Sequence, residues 1–174
     1  MASKNASRAI DPFEIFKQAA AFEQASFNLS ADFKKGGLLM RVPMIVNSSF
    51  SMELFLKCLL HLRGKCTAAK GHELLKLYDA LDKGDHDRIE PHFIRELKAN
   101  PVMQNIWNLE KAGKLKPLSW RITDILDRAN KAFSGWRFSF ELQHNQMIYA
   151  GVQPIRDAVR FVIIEDRPTW PVSI

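Results

Sequence analysis

The chain of 174 residues is long enough for one domain with a sizeable core. Its composition, 47% hydrophobic and 25% charged, excludes an intrinsically disordered protein. The formal net charge of +6 is compatible with an RNA, DNA or nucleotide partner, although many proteins without such a partner share it.

The cysteine content and the absence of long apolar runs narrow the class further. Cys58 and Cys66 are the only cysteines, which is too few for a disulfide framework and lacks the spacing of a zinc site. We therefore expect no metal and no cofactor. Residues 1–10 lack the apolar stretch of a signal peptide, and no apolar run reaches the roughly 18 residues that cross a bilayer. These features predict a cytoplasmic protein with no membrane segment.

Helix signals begin at Asp11, which is a good N-cap because Pro12 follows it at the first helical position. Apolar residues then recur at helical spacing to about Leu29, and a loop is expected at 34–37. The second predicted helix runs from Pro43 to a C-cap at Gly64. It is apolar on nearly every side, which predicts a helix surrounded by others at the centre of a bundle.

Two shorter helices are predicted next. The first covers 72–82 and is closed by the residues 83–85, and the second covers about 87–97 with Pro91 near its start. We expect the stretch 101–117 to be irregular.

The fifth helix, starting at Ser119 or Thr123 and reaching Phe140, carries the cleanest amphipathic stripe. A last helix covers 153–164, with Pro154 in its first turn. Strand patterns are almost absent. The predicted fold is therefore all-α, an up-and-down antiparallel bundle of five to six helices. It comprises a flexible N-terminus at 1–10, one domain at 11–166 and an extended tail at 167–174.

Polar residues on the buried central helix conflict with its apolar pattern, and such conflicts often mark function. Glu53 and Lys57 lie four residues apart, with the acid first, the better order for a helical ion pair. Both charges need partners if they are buried. The simplest interpretation is a structural salt bridge at the edge of the core. Asn47, with Ser48 and Ser51, interrupts the same helix and suggests a small polar channel.

A second conflict is Arg137, which falls on the inward stripe of the fifth helix and needs a carboxylate partner, either Glu53 or Glu141. His144 lies seven residues further on, on the same face if the helix continues. Such a pair can bind phosphate or cleave RNA, with the histidine as general acid or base. The alternative is that Arg137 only pairs within the core and that His144 lies in the following loop.

The third unusual residue is His72, at the predicted start of the third helix. A histidine there can cap the helix, or it can reach a neighbouring acid such as Glu53 or Glu23. Capping is the more common arrangement.

Three segments together resemble the HEPN superfamily, small helical domains named for nucleotide binding in higher eukaryotes and prokaryotes. The segments are 47–60 (NSSFSMELFLKCLL), 71–78 (GHELLKLY) and 132–141 (AFSGWRFSFE), and with their surroundings, roughly 40–82 and 122–144, the resemblance covers about a third of the chain. The last is similar to a Trp-Arg-Tyr-x-Tyr-Glu element of uncharacterised bacterial branches, with phenylalanines replacing both tyrosines.

The resemblance implies an up-and-down helical bundle, frequently dimeric, in bacterial defence, toxin or RNA-processing contexts. Catalytic members share a metal-independent ribonuclease motif of Arg, four to six residues, then His, with a polar residue directly after the Arg. Arg137 and His144 have six residues between them, as this motif requires, but Phe138 takes the place of the polar residue. Many members lack the motif and are binding or scaffold domains.

The favoured hypothesis is a non-catalytic HEPN-like domain, a homodimer, that binds RNA, a nucleotide or a partner protein. Its binding or structural cluster would comprise Asn47, Glu53, Lys57, His72, Arg137 and Glu141. Two alternatives stay open. One is a metal-independent endoribonuclease in which Arg137 stabilises the phosphate and His144 moves the proton. The other is a purely structural protein-interaction module.

Overall fold

The computed structural model describes residues 10–34, 41–136 and 151–170 and confirms the all-α class, because these ranges contain seven helices and no strand. Within them, no helix combines the length and the apolar character needed to cross a membrane. A single 3₁₀ turn lies at Ala68–Lys70. The helices are α1 (Pro12–Lys34), α2 (Arg41–Leu62), α3 (Leu74–Asp79), α4 (Lys83–Ala99), α5 (Pro101–Lys111), α6 (Ile122–Trp136) and α7 (Val152–Asp166).

The first two helices form an antiparallel pair. The Phe16 ring near the start of α1 meets the Phe55 ring far along α2, with centroids 5.6 Å apart. Further along α1, the Ser26 hydroxyl donates a 3.0 Å hydrogen bond to the carbonyl of Met44, close to the start of α2. The start of α1 thus lies beside the later turns of α2, and the later turns of α1 lie beside the start of α2. This is the antiparallel arrangement expected from the sequence.

Helix α2 occupies the centre of the bundle, as its all-round apolar pattern predicts. It packs against α1, α3, α6 and α7, and its Met52, Leu56, Leu59 and Leu60 side chains are completely buried. Burying one such side chain contributes about 2 kcal/mol to folding. Four helices cover α2 from different sides, and only a narrow stripe that includes Phe50, Leu54 and Lys57 stays partly exposed along its middle turns.

Helix α7 runs in the same direction as α2. Near the start of both helices, an Arg156 nitrogen lies 3.5 Å from the Ser48 hydroxyl. Near their ends, Arg63 and Asp166 pair at 2.6 Å. Helix α4 lies against α7 in the opposite direction, since its first turns contact the end of α7. The bundle is therefore antiparallel between α1 and α2 and between α4 and α7, and parallel between α2 and α7.

The start of α4 differs from the prediction. Residues 83–85, expected to close the preceding helix, instead open α4, and Pro91 lies in its interior rather than near its start. The reason is Asp85, whose buried carboxylate is bound by Arg63 at 2.6 Å. An acidic residue is also favourable in a first helical turn. A long-range ion pair thus overrides the local turn signal of Lys83-Gly84-Asp85.

The expectation of an irregular stretch at 101–117 was wrong for its first part, because α5 occupies Pro101–Lys111. Asn100 ends α4 and also caps α5, since its side-chain oxygen accepts from the Val102 N–H at 2.9 Å. Pro101 stands at the first helical position, where a proline is tolerated. The buried Met103 anchors the helix. The Asn100-Pro101 pair therefore ends α4 and begins α5.

Two further boundaries differ. Helix α3 begins at Leu74 rather than at His72. The described part of the tail, residues 167–170, is not extended as predicted. The Trp170 N–H donates to the Arg167 carbonyl at 2.9 Å, closing a turn. The Trp170 ring then packs against Phe13 and Phe16 of α1, with both centroid distances 5.1 Å. Apolar burial of an indole explains why the tail folds back.

Removal of the Phe55 ring should test the central position of α2. The change Phe55→Ala is expected to lower the free energy of unfolding by about 3–5 kcal/mol, because it deletes a fully buried ring and leaves a cavity. Phe27→Ala is the matched control, since Phe27 is 70% exposed, and should change stability by less than about 0.5 kcal/mol. Urea unfolding followed by circular dichroism measures both; similar losses would contradict the assignment.

Candidate functional site

A carboxylate on the central helix contacts a lysine and a histidine. Glu53 Oε1 lies 2.7 Å from Lys57 Nζ and 2.9 Å from His72 Nδ1. The Glu53 side chain is 6% exposed and that of Lys57 16%, whereas that of His72 is 75% exposed. We call these three residues the Glu53 cluster. It extends from the buried face of α2 to an imidazole at the surface.

Each member of the Glu53 cluster is placed by local structure. Glu53 and Lys57 stand one turn apart on α2, which brings their side chains together, and the predicted ion pair is present. His72 comes from the extended residues between the 3₁₀ turn and α3. It does not cap α3, because the first helical N–H, that of Leu74, is accepted by Asn130 of α6 at 2.7 Å. The histidine is therefore available for Glu53.

The geometry fixes the orientation of the imidazole. Nδ1 of His72 faces Glu53, so in the neutral tautomer that donates to the carboxylate Nε2 is left as an acceptor, and in the charged form both nitrogens donate. A carboxylate–imidazole pair of this kind orients a histidine for proton transfer or for binding an anion. Further along α2, burial and the Lys57 ammonium lower the pKa of His61, which favours its neutral form.

Asn47 does not join this cluster. Its side-chain nitrogen donates to the Pro43 carbonyl of its own helix at 2.7 Å. Of the other members of the predicted polar channel, Ser48 lies beside Arg156, and the Ser51 hydroxyl is buried with no hydrogen-bond partner among the described residues. The channel is thus a set of separate polar contacts.

The predicted pair of Arg137 and His144 was expected on the fifth predicted helix, whose described part is α6 of the structure. Arg137, Glu141 and His144 lie outside the described residues, so their contact with Glu53 and with one another stays a prediction. Glu23, the alternative partner considered for His72, lies elsewhere, 3.2 Å from Arg156.

A second group of buried charges was missed by the sequence analysis. The Arg156 side chain is 8% exposed and lies between Glu23 of α1 and Asp157 of its own helix, 2.9 Å from the latter. Burial raises the pKa of Glu23, although the nearby arginines oppose this shift. A signal was present: Arg156 follows Val152 by four residues and precedes Val159 by three, which places it on the apolar stripe of α7.

A third set of charges joins the end of α2 to α4 and α7. Arg63 contacts both Asp85 and Asp166 at 2.6 Å, and Arg88 contacts Glu165 and Asp166 at 2.9 Å. We call these five residues the arginine network. Burial opposes ionisation of Asp166, but the hydrogen bonds from both arginines outweigh it and lower the pKa of this carboxyl group. Every charge in the network has an opposite partner, and the network joins the ends of α2 and α7 to the start of α4.

No group of three or more histidine, cysteine or acidic side chains suited to a metal ion occurs within the ranges that the structure describes. Comparison of the chain with protein-family models, curated proteins and solved structures found no match. Its function must therefore be inferred from its own residues, and above all from the Glu53 cluster.

The ion pair in the Glu53 cluster should be strongly coupled. Lys57→Met leaves a buried carboxylate with His72 alone and is expected to cost about 3 kcal/mol of stability. The double change Glu53→Leu with Lys57→Met should cost less than the sum of the two single changes, because no unpaired charge remains. Lys83→Met, in an exposed pair with Asp87, is the control and should cost under about 1 kcal/mol. Strict additivity would show that Glu53 and Lys57 do not depend on each other.

The arginine network should give the protein an acid-sensitive stability. Because the folded pKa of Asp166 lies below the unfolded value of 3.8, its contribution is present above that pH and is lost as the pH falls through the folded pKa. Asp166→Asn should therefore cost roughly 1–3 kcal/mol at neutral pH. The deficit should shrink towards zero as the pH falls through the folded pKa of Asp166, because the wild-type carboxyl is then protonated as well.

Denaturant unfolding across this pH range measures the effect, with Asp79→Asn on the exposed surface of α3 as the control. A deficit that is the same at every pH would refute the ionic origin of the stabilisation.

Proposed function

We propose that this chain is a HEPN-like helical domain that binds RNA without cleaving it, with His72 and Lys57 contacting a backbone phosphate. The observation that carries the proposal is the contrast in exposure within the Glu53 cluster. A histidine that is 75% exposed is fixed by a carboxylate that is 6% exposed. A solvated surface histidine needs no such anchor, whereas a ligand-binding histidine gains from having its orientation set before the ligand arrives.

The charge of the whole chain favours an anion, and the charge of the Glu53 cluster does not oppose one. With a neutral imidazole the Glu53 cluster has no formal net charge, and with a charged imidazole it carries +1. The chain as a whole carries +6, which adds a long-range attraction for a polyanion.

The size and charge of a described cavity, and the exposure of His72, favour RNA over a free nucleotide. Small-molecule sites usually enclose about 300–1,000 Å³. A cavity of about 200 Å³ lies between α4, α5 and α7, but its lining includes the carboxylates of Glu96 and Asp157, which repel phosphate. The His72 imidazole instead stands on an open surface, where a polymer can reach it.

The decisive measurement is the affinity of the purified protein for a fluorescent single-stranded RNA, followed by anisotropy at 50 and 200 mM salt. We expect binding that weakens steeply with salt, because phosphate contacts release counterions. His72→Gln should weaken binding about tenfold, the equivalent of one charge-assisted contact. His92→Gln, which removes an imidazole that packs on Phe161, is the control and should bind as the wild type does once its folding has been checked by circular dichroism.

The two alternative functions, an endoribonuclease and a protein-interaction module, predict different results with the same purified protein. Incubation with mixed RNA in EDTA should leave the RNA intact; cleavage by the wild type that is lost in His144→Ala would replace the proposal by the metal-independent endoribonuclease. Absence of RNA binding even at 50 mM salt would contradict the proposal and favour a protein-interaction module. The homodimer implied by the resemblance is tested separately by sedimentation.

A further inference from the structure

The connection between α5 and α6 carries an uninterrupted excess of positive charge. Residues 111–121 (KAGKLKPLSWR) contain four cations and no acid. Lys111, Lys114 and Lys116 are all exposed, and none of the three forms an ion pair with another described residue. We call 111–121 the lysine loop.

The acids on either side of the lysine loop are engaged by the loop itself. Glu110 accepts a hydrogen bond from the Leu118 N–H at 3.1 Å. Asp124 accepts from Ser119 and, at 2.9 Å, from Arg121; these bonds lower the pKa of Asp124 to about 2. Arg121 is thus neutralised locally, while the three lysines are not. Residues 110–124 keep a formal charge of +2, and the three lysines lie at the end of α5 and just beyond it.

The backbone of the lysine loop has a defined course at its beginning. Gly113 has φ of +69°, a conformation that disfavours other residues. The Lys114 N–H donates to the Leu109 carbonyl at 2.9 Å, and the Gly113 N–H to that of Glu110 at 3.0 Å. This is the Schellman arrangement that ends a helix. Together with the Glu110–Leu118 hydrogen bond, it ties both ends of the lysine-bearing stretch to the end of α5.

Aromatic rings stand at the end of the lysine loop. The Trp120 and Trp107 rings meet edge to face at a centroid distance of 6.3 Å, and the Arg128 guanidinium lies 5.9 Å from the centroid of the Trp120 ring. Both indoles are only partly buried, so each packs on the core and still meets solvent. Lysines beside partly exposed aromatic rings are the combination that binds single-stranded nucleic acid, because phosphates pair with the cations and bases stack on the rings.

We propose that the lysine loop is a binding site for single-stranded RNA, in which the three lysines contact phosphates and a base stacks on the open part of Trp120. This inference rests on the proposed function and names a second contact for the same ligand. Helix α6 connects the lysine loop to the segment that carries His72. Ile122, which follows the lysine loop, begins α6, and Asn130 of α6 accepts a hydrogen bond from the N–H of Leu74, two residues after His72. At 1.5 Å per residue, about 12 Å separate these two positions along the helix axis, which a few nucleotides can span.

A charge-matched pair of triple variants tests the lysines. Lys111→Gln, Lys114→Gln and Lys116→Gln together should reduce the salt dependence, the slope of log K against log salt, by about 2, at roughly 0.7 per phosphate contact. The control is Lys17→Gln, Lys83→Gln and Lys98→Gln together, which removes the same charge from α1 and α4 and should leave that slope nearly unchanged.

Substitutions of Trp120 test the stacking contact. Trp120→Leu should weaken binding of a 12-nucleotide single strand roughly tenfold, and Trp120→Phe, which keeps a ring, should restore most of it. Binding of heparin, a polyanion without bases, should respond to the lysine variant and not to Trp120→Leu. Circular dichroism and urea unfolding check that each variant folds.

The outcomes separate this inference from the proposed function. If the wild type binds RNA but the two triple variants behave alike, the lysine loop is not the site and the proposed function stands. Equal affinity for single-stranded and duplex RNA would overturn the stacking contact. If the lysine variant is impaired while His72→Gln is not, RNA binding belongs to the lysine loop and the Glu53 cluster is structural. No RNA binding by the wild type refutes both.

Discussion

The burial of one helix determines the rest of this molecule. Helix α2 is apolar on nearly every side, so it is stable only when other helices cover most of its surface, and α1, α3, α6 and α7 do so. A carboxylate on such a helix would be very costly alone. Glu53 is therefore accompanied by Lys57 from its own helix and by His72 from the segment before α3. The demand for a partner at Glu53 places an imidazole at the surface.

Charged side chains also fix how the covering helices are arranged. Arg63, just beyond the last turn of α2, reaches acids on both α4 and α7, and Arg156 of α7 reaches Glu23 of α1. Hydrophobic contacts are tolerant of sliding, whereas a guanidinium and a carboxylate must meet at a defined distance. The apolar core therefore stabilises the bundle, and the ion pairs select one register among its helices.

The sequence was sufficient for some features of this structure and not for others. The extent of α2, its central place and the Glu53–Lys57 pair follow from local periodicity and spacing, and they were predicted. The position of His72 opposite Glu53 was one of the arrangements considered, but choosing it required knowing that Asn130 already caps α3. The start of α4 was mispredicted because Asp85 is stabilised by Arg63, 22 residues earlier. Helix α5 was missed because Asn-Pro signals both an end and a beginning. Contacts distant in sequence decide these cases.

The return of Trp170 to α1 bears on the order in which the chain can fold. Phe13 and Phe16 pack against a residue more than 150 positions later, and such a contact closes almost the longest loop that the chain allows. During synthesis, α1 and α2 can pair early, since only a short segment joins them. The outer edge of α1 nevertheless stays uncovered until Trp170 has left the ribosome. Until then, a partly folded chain exposes aromatic surface to chaperones and to aggregation.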